Sequence, residues 1–322
     1  MPRRKRKRRA AAETHNLLEM PPEVKASVLS RLGAIDILNS AQKVCSQWRN
    51  ICKDPSMWRS IDMRNSGEWE DGRVHDMCFH AVDRSCGHLL DINIEHFGTD
   101  ELLFYIAEWS VHLKHLRLFV CYDISEDTLG EVALKLPCLE ELEVSICYIA
   151  EHSLKTIGRN CPLLKSLKYN HRHSEDYACD DHALAIAQSM PELCRLELLG
   201  NALTNEGLQA ILDGCRHLEY LDLRQCFNVH LGEDLEKRCV ERIKTLRRPD
   251  GSTHDYEFFV GDPDTLSYPF DRISDSDDDY DLFANGYDHY FKISGASESS
   301  DHDSSGISDT TSMNSGASDS DE

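Results

Sequence analysis

The sequence predicts an α/β solenoid, entered through a small α-helical module and left through an acidic tail. Three observations predict it. One apolar pattern returns six times at a near-constant period between Leu89 and Leu223. Behind the copies stand further apolar stretches with the spacing of a helix face. The composition then changes at both ends, to a like-charged arm before residue 17 and a Ser/Asp/Gly-rich stretch after residue 248.

The repeated pattern is an apolar residue, two variable ones, a second apolar, one variable and a third apolar. Leu89-Leu-Asp-Ile92-Asn-Ile94 is the first full copy, and Leu113-Lys-His-Leu116-Arg-Leu118 the second. The others begin at Leu139, Leu164, Leu193 and Leu218, so successive leads lie 24, 26, 25, 29 and 25 residues apart. A period of this size headed by L-x-x-L-x-L is the leucine-rich-repeat signature. Strand alternation sends the leucines inward and the residues between them outward. The helix faces are Leu103/Ile106/Ala107, Leu129/Val132/Ala133, Leu154/Ile157, Ile186/Ala187 and Leu208/Ile211/Leu212, spaced three and four apart. Stacked, the strands form a concave parallel sheet and the helices cover the convex side. No single repeat buries its own apolar face, so stability belongs to the stack.

Taken in order, residues 1–16 hold a basic arm. Arg3 to Arg9 carry seven adjacent positive charges, a block that does not fold alone and reads as a nuclear-import signal or a solvated arm. Residues 17–60 are helical in character. Pro21-Pro22-Glu23 suits a first turn, because proline is tolerated there and Glu complements the dipole. Val24, Val28, Leu29 and Leu32 are expected on one face, with Gly33 stopping the helix. A second helix is expected from Asp36 through Trp48. A module of about forty residues lies near the lower limit for an independent core. It must therefore lean on the repeats or on a partner.

Trp58-Arg-Ser-Ile61-Asp-Met63 fits the strand template, so a degenerate first repeat is expected to begin where the module ends, with Trp58 and Trp48 at the seam. The repeats are expected to fill residues 61–248. The 29-residue period opens a loop at Asn170–His182, whose His171, His173, Cys179 and His182 lack the paired spacing of zinc ligands. That loop reads as polar surface and a candidate contact. Cys86, Cys161 and Cys215 precede their strands, where cysteine serves as a small buried hydrophobe. A charged helix around Leu235, Cys239 and Val240 is expected to cap the array. Residues 249–322 are read as a disordered acidic tail: Asp250 to Glu322 hold nineteen acids and two bases. Its serines among acids look like kinase acceptors, and its aromatics from Tyr256 to Phe291 are able to dock on a surface.

The formal net charge of -22 argues against a nucleic-acid partner. No stretch is apolar enough for a membrane span, and no signal peptide is read. Thirteen cysteines without an extracellular context imply reduced thiols. No Gly-rich phosphate loop, H-E-x-x-H or G-x-S-x-G occurs, so neither catalysis nor a metal or cofactor is expected.

The helical module resembles a known family. Met20-Pro21-x-Glu23-Val24, Val28-Leu29-x-x-Leu32, Ile37-Leu38, Ala41, Val44-Cys45-x-x-Trp48-Arg49 and Trp58 look like an F-box. Met20 stands where that family has leucine, and Asp36 is followed by Ile37. With repeats directly behind it, the chain resembles the F-box/LRR-repeat proteins, and plant members most. The resemblance implies a substrate-recognition subunit of a Skp–cullin–F-box ubiquitin ligase, and the basic arm, read as an import signal, is expected to place it in nucleus and cytoplasm. Its F-box would bind a Skp-type adaptor, and through it a cullin–RING ligase, by Met20, Pro21, Val24, Val28, Leu32, Ile37, Leu38 and Val44. The repeats would hold a protein substrate, not named by the sequence. The alternative is an interaction scaffold with no ligase role, in which the module only caps the repeats. A cap needs one apolar face, whereas an F-box needs two.

Outward-facing strand residues define the expected substrate surface. They run from Asp91, Asn93 and Glu95 through Glu141, Glu143 and Ser145 to Asp222. His115, Arg117, Phe119, Lys168, Arg195, Glu197, Tyr220 and Arg224 are the expected contacts, with Leu199 also reckoned exposed. Arginine and aromatics are favoured as anchors because they dominate interface energetics.

Overall fold

Eight short strands pair in chain order, each parallel to the next. They are β1 (Ser60–Met63), β2 (Asp91–Glu95), β3 (His115–Phe119), β4 (Glu141–Ser145), β5 (Ser166–Asn170), β6 (Arg195–Glu197), β7 (Tyr220–Asp222) and β8 (Thr245–Arg247). This computed structural model describes residues 21–64, 71–171 and 178–256. Contacts divide the chain into Met1–Phe259 and Val260–Glu322, and all that follows concerns the first unit. Met20, the basic arm, His173 and the tail beyond Tyr256 lie outside the described residues.

Parallel neighbours require a crossover, and each is a helix. These are α4 (Asp71–Ser85), α5 (Asp100–Trp109), α6 (Thr128–Ala133), α7 (Glu151–Asn160), α8 (Asp181–Ser189), α9 (Asn205–Gly214) and α10 (Glu233–Arg242). The repeat leucines align in register, Ile92 with Leu116, Leu142, Leu167, Leu196 and Leu221, and all are buried. The helix-face residues named from the sequence are buried with them, apart from half-buried Ala187.

Polar side chains lock one repeat to the next. Asp100 at the start of α5 accepts from Ser125 N at 2.7 Å and Thr128 Oγ1 at 2.6 Å. Asp180 repeats the device on Thr204, and Asn205 exchanges two bonds with the backbone of His230. Close helix packing needs small residues. A Cβ on Gly158 would stand 2.6 Å from the Ser189 carbonyl oxygen, so α7 and α8 approach as they do only because none is there.

The seam between module and repeats is direct. Trp58 is fully buried and donates Nε1–H to the Cys52 carbonyl at 2.9 Å. Arg84 of α4 lies over its ring at 5.3 Å and donates Nη2 to Gln42 Oε1 at 2.8 Å. One continuous core therefore runs from Leu29 to Ile243.

The structure departs from expectation in several places. The module's second helix is three pieces: α2 (Ala34–Asn39), a 3-10 turn (Ala41–Lys43) and α3 (Ser46–Ile51). Gly33 is the extended residue opening α2, while α1 (Pro22–Leu29) ends four residues earlier. Cys161 and Cys215 are buried as expected, but Cys86 is exposed, in a left-handed turn with φ 48° that turns it out of the core. The eighth strand was not foreseen, because Arg248 stands where the template calls for a third apolar residue. Beyond Arg248, residues 249–256 are described as well and pack on the repeats.

Candidate functional site

Two surfaces are candidates, one on the helical module and one on the concave sheet. On the module, Leu29, Ile35, Ile37 and Leu38 turn inward and are buried. Val24, Val28, Leu32 and Val44 turn outward, each at least 38% exposed, and Pro21 is exposed beside them. Large aliphatic residues gain nothing in water. Among its described residues, this small module thus buries four large aliphatic side chains and holds four others outside. Leu29 does not share a face with Val24 and Val28, as the sequence suggested. Ile37 and Leu38 are corrected too: α2 packs on β1 and α4, so these two side chains brace the surface from beneath.

On the sheet, parallel register lines up the outward residues in rows. Asp91, His115, Glu141, Ser166, Arg195 and Tyr220 form the first. Asn93, Arg117, Glu143, Lys168, Glu197 and Asp222 form the second, and Glu95, Phe119, Ser145 and Asn170 the third. The first two rows shape a cavity of about 280 Å³ between Asp62 and Lys168. Glu143 sits there between two cations, 3.1 Å from Arg117 Nε and 2.8 Å from Lys168 Nζ. Asn93 lines the same cavity and is 8% exposed; its Oδ1 has no partner among the described residues. His115 meets Asp91 at 3.2 Å. Further along, Arg195 stacks on the Tyr220 ring at 3.7 Å and leaves 42% of its side chain exposed.

Three of the expected substrate contacts are covered. Phe119, Glu197 and Arg224 are buried, and so is Leu199. Phe119 packs edge-on against His96 at 5.9 Å, where the chain leaves the sheet through left-handed His96 and Val120. Arg224 forks onto Asp222, Nε to Oδ1 at 3.0 Å and Nη2 to Oδ2 at 2.7 Å. His115, Arg117, Lys168, Arg195 and Tyr220 remain open at the surface.

What covers part of the sheet is the segment that follows β8. After β8 the chain turns at Pro249-Asp250-Gly251 and residues 252–256 pass back over the concave side. Arg224 Nη1 donates to the Ser252 carbonyl at 3.0 Å and to Asp255 Oδ1 at 2.5 Å. Arg247 takes the other Asp255 oxygen at 2.5 Å. Asp255 is held down to about 2, by the Arg247 bond first and by Arg224 against the opposing effect of burial. Asn170 Nδ2 reaches the Tyr256 hydroxyl at 3.3 Å, and burial with the charges of Glu197 and Glu143 pushes that phenol up to about 12. The ability of tail aromatics to dock was legible in sequence; which one docks, and where, was not. Asp255 carried no signal beyond one more acid.

Of the loop that the long repeat opens, residues 170–171 and 178–182 are described. His171 packs edge-on to Tyr169 at 4.3 Å, and His182 Nε2 lies 3.0 Å from the Ile149 carbonyl oxygen. No three His, Cys, Asp or Glu side chains converge on a metal-sized site among the described residues.

A family model described as F-box-like matches residues 17–64. The chain is 48% identical over 295 residues to the F-box protein SKIP19 of Arabidopsis thaliana, covering 90% of this chain and 94% of that one. It is 48% identical over 264 residues to putative F-box/LRR-repeat protein 21 of the same plant, covering 76% and 86%. A solved yeast complex of Rad7 and Elc1 aligns at TM-score 0.41 and 18% identity, over 71% of this chain and 69% of that one.

Proposed function

This chain belongs to the F-box/LRR-repeat proteins, and from that premise we propose that it is the substrate-recognition subunit of a Skp–cullin–F-box ubiquitin ligase. The observation that carries the reading is the outward set Val24, Val28, Leu32 and Val44, exposed on a module whose core is already filled by Leu29, Ile37 and Leu38. An apolar patch of this kind suits a protein partner, and a Skp-type adaptor is the partner proposed. The chain does no bond chemistry in this account. It holds a substrate on the concave sheet at high effective concentration near a ubiquitin-charged enzyme, and proximity supplies the rate. The direct seam at Trp58 and Arg84 matters to that mechanism, because a stiff connection keeps substrate and adaptor at a set distance.

A scaffold with no ligase role needs only the buried half of the module. The outward half has no place in it. Mixing the purified chain with a Skp-type adaptor and looking for one complex by size-exclusion chromatography tests the reading. Two separate peaks at micromolar concentration would return the chain to the scaffold class. The basic arm extends the proposal to a nuclear as well as a cytoplasmic pool.

A further inference from the structure

The concave face at β5 to β8 is a made site with an occupant already in it. Asp222 is wholly buried and orients the Arg224 guanidinium through two nitrogens, leaving Nη1 to point at Asp255. Arg247 supplies the second fork, so a single carboxylate is taken by two arginines, one oxygen each. Such charge-assisted bonds are strong and set geometry as well as affinity. One residue on, the phenol meets Asn170, a buried amide that also touches Ser145 at 3.3 Å and Glu197 at 3.2 Å, and whose Oδ1 accepts from Leu199 N at 3.0 Å. Both recognising groups, Arg224 and Asn170, are held by partners other than the segment they receive: Asp222 for the first, and Ser145, Glu197 and Leu199 N for the second.

The occupant is held by its side chains and by one carbonyl, not by strand pairing. Its backbone closes on itself, Tyr256 N donating to the Thr253 carbonyl at 2.9 Å, and does not extend the sheet past β8. A cap for the open edge would need to cover β8 alone. This segment instead reaches back across β7 and β6 to β5.

We propose that this face is a recognition site for an acidic residue followed by tyrosine, and that Asp255-Tyr256 is a built-in stand-in which a substrate segment of the same chemistry displaces. The two-arginine fork selects the carboxylate. Glu143 and Glu197 around the phenol select against a phosphorylated or acidic side chain in the second position, since like charges would face each other in a poorly hydrated space. The proposal rests on the ligase reading only in calling the displacing segment a substrate.

The experiment uses the full-length chain and a fluorescent peptide of its residues 250–256, Asp-Gly-Ser-Thr-His-Asp-Tyr, read by anisotropy. In the unaltered chain the tethered segment competes at high local concentration. The Asp255→Asn, Tyr256→Ala chain is therefore expected to bind the peptide at least about tenfold more tightly than the unaltered chain. Arg247→Ala in that background is expected to reverse the gain, and a peptide ending Asn-Ala to bind neither chain. Equal binding to both chains, or to neither, would overturn the proposal and leave the segment as a fixed cap. Circular dichroism on the doubly substituted chain closes the remaining case: a chain that unfolds without these two side chains makes them core, which also overturns it. Adaptor binding by the same preparations reports on the ligase reading separately.

Discussion

The Asn170 side-chain amide and the Tyr256 hydroxyl stand 3.3 Å apart, although 86 residues separate them. That bond ties the segment after β8 back to β5, across half of the eight strands. It also carries the packing against the repeats past Arg248. Limited proteolysis is expected to leave a resistant fragment ending beyond Tyr256, and Tyr256→Ala to shift the cut back into Pro249–Ser252. Mass spectrometry of the fragment decides it. A cut near Arg248 in the unaltered protein would mean that the segment spends most of its time off the sheet.

The outward and inward halves of the helical module make opposite predictions. Val28→Asp with Leu32→Asp alters two exposed side chains, so stability should move by no more than about 0.5 kcal/mol per site while the adaptor complex is lost. Ile37→Ala empties a buried position and should lower stability by about 2–5 kcal/mol. Denaturant titration beside adaptor capture separates them. A doubly substituted chain that still binds the adaptor would remove the main support for the ligase reading.

Much of this was legible in the sequence, and what was not has physical reasons. Leucine spacing gives the strand count from β1 to β7, because every repeat must bury the same face against its neighbours. Register follows from it, so the rows through Asn93, Arg117, Glu143 and Lys168 were foreseen. Strand alternation decides which way a side chain points but not what lies on top of it. Phe119 and Arg224 point as expected and are nonetheless buried, one by His96 and one by residues 252–256. Helical spacing alone could not tell the inward Leu29 from the outward Val28 either, since both neighbours are aliphatic and only the packing partner distinguishes them.

His171 offers a test by pH. Burial first, and then the neighbouring His182, push its imidazole from 6.5 down to about 4. The folded state thus keeps the ring neutral while the unfolded chain takes a proton below pH 6.5. Its contribution to stability is complete above that pH and declines as pH falls towards 4. Denaturation midpoints measured from pH 7 to pH 4 should fall less steeply for His171→Asn than for the unaltered chain. Matching slopes would show that the ring titrates in the folded state as it does in water.

The seven positive charges of Arg3 to Arg9 are expected to direct part of the protein to the nucleus. Deleting Pro2 to Arg9 from a fluorescent fusion too large to enter by diffusion should leave it cytoplasmic. An unchanged nuclear fraction would reduce the arm to a solvated extension.

The last prediction concerns which cation on the open sheet a substrate meets. Arg117 and Arg195 are both candidates by sequence, but their surroundings differ. Arg117 keeps 20% of its side chain exposed and is paired with Glu143, itself 13% exposed. Reversing it to glutamate would set two carboxylates together in a poorly hydrated place, so Arg117→Glu should destabilise by about 1–3 kcal/mol and confound any binding result. Arg195 rests on the Tyr220 ring with its head in water. Arg195→Gln forfeits a cation–π contact worth about 0.5–1 kcal/mol at an exposed site and the 3.5 Å ion pair with buried Glu197, without setting a second carboxylate beside it. The second variant is therefore the clean probe: thermal unfolding within a few degrees of the unaltered chain, adaptor retained, substrate capture under proteasome inhibition reduced. Capture that survives Arg195→Gln would shift substrate contact away from Arg195 and Tyr220, to the cavity between Asp62 and Lys168.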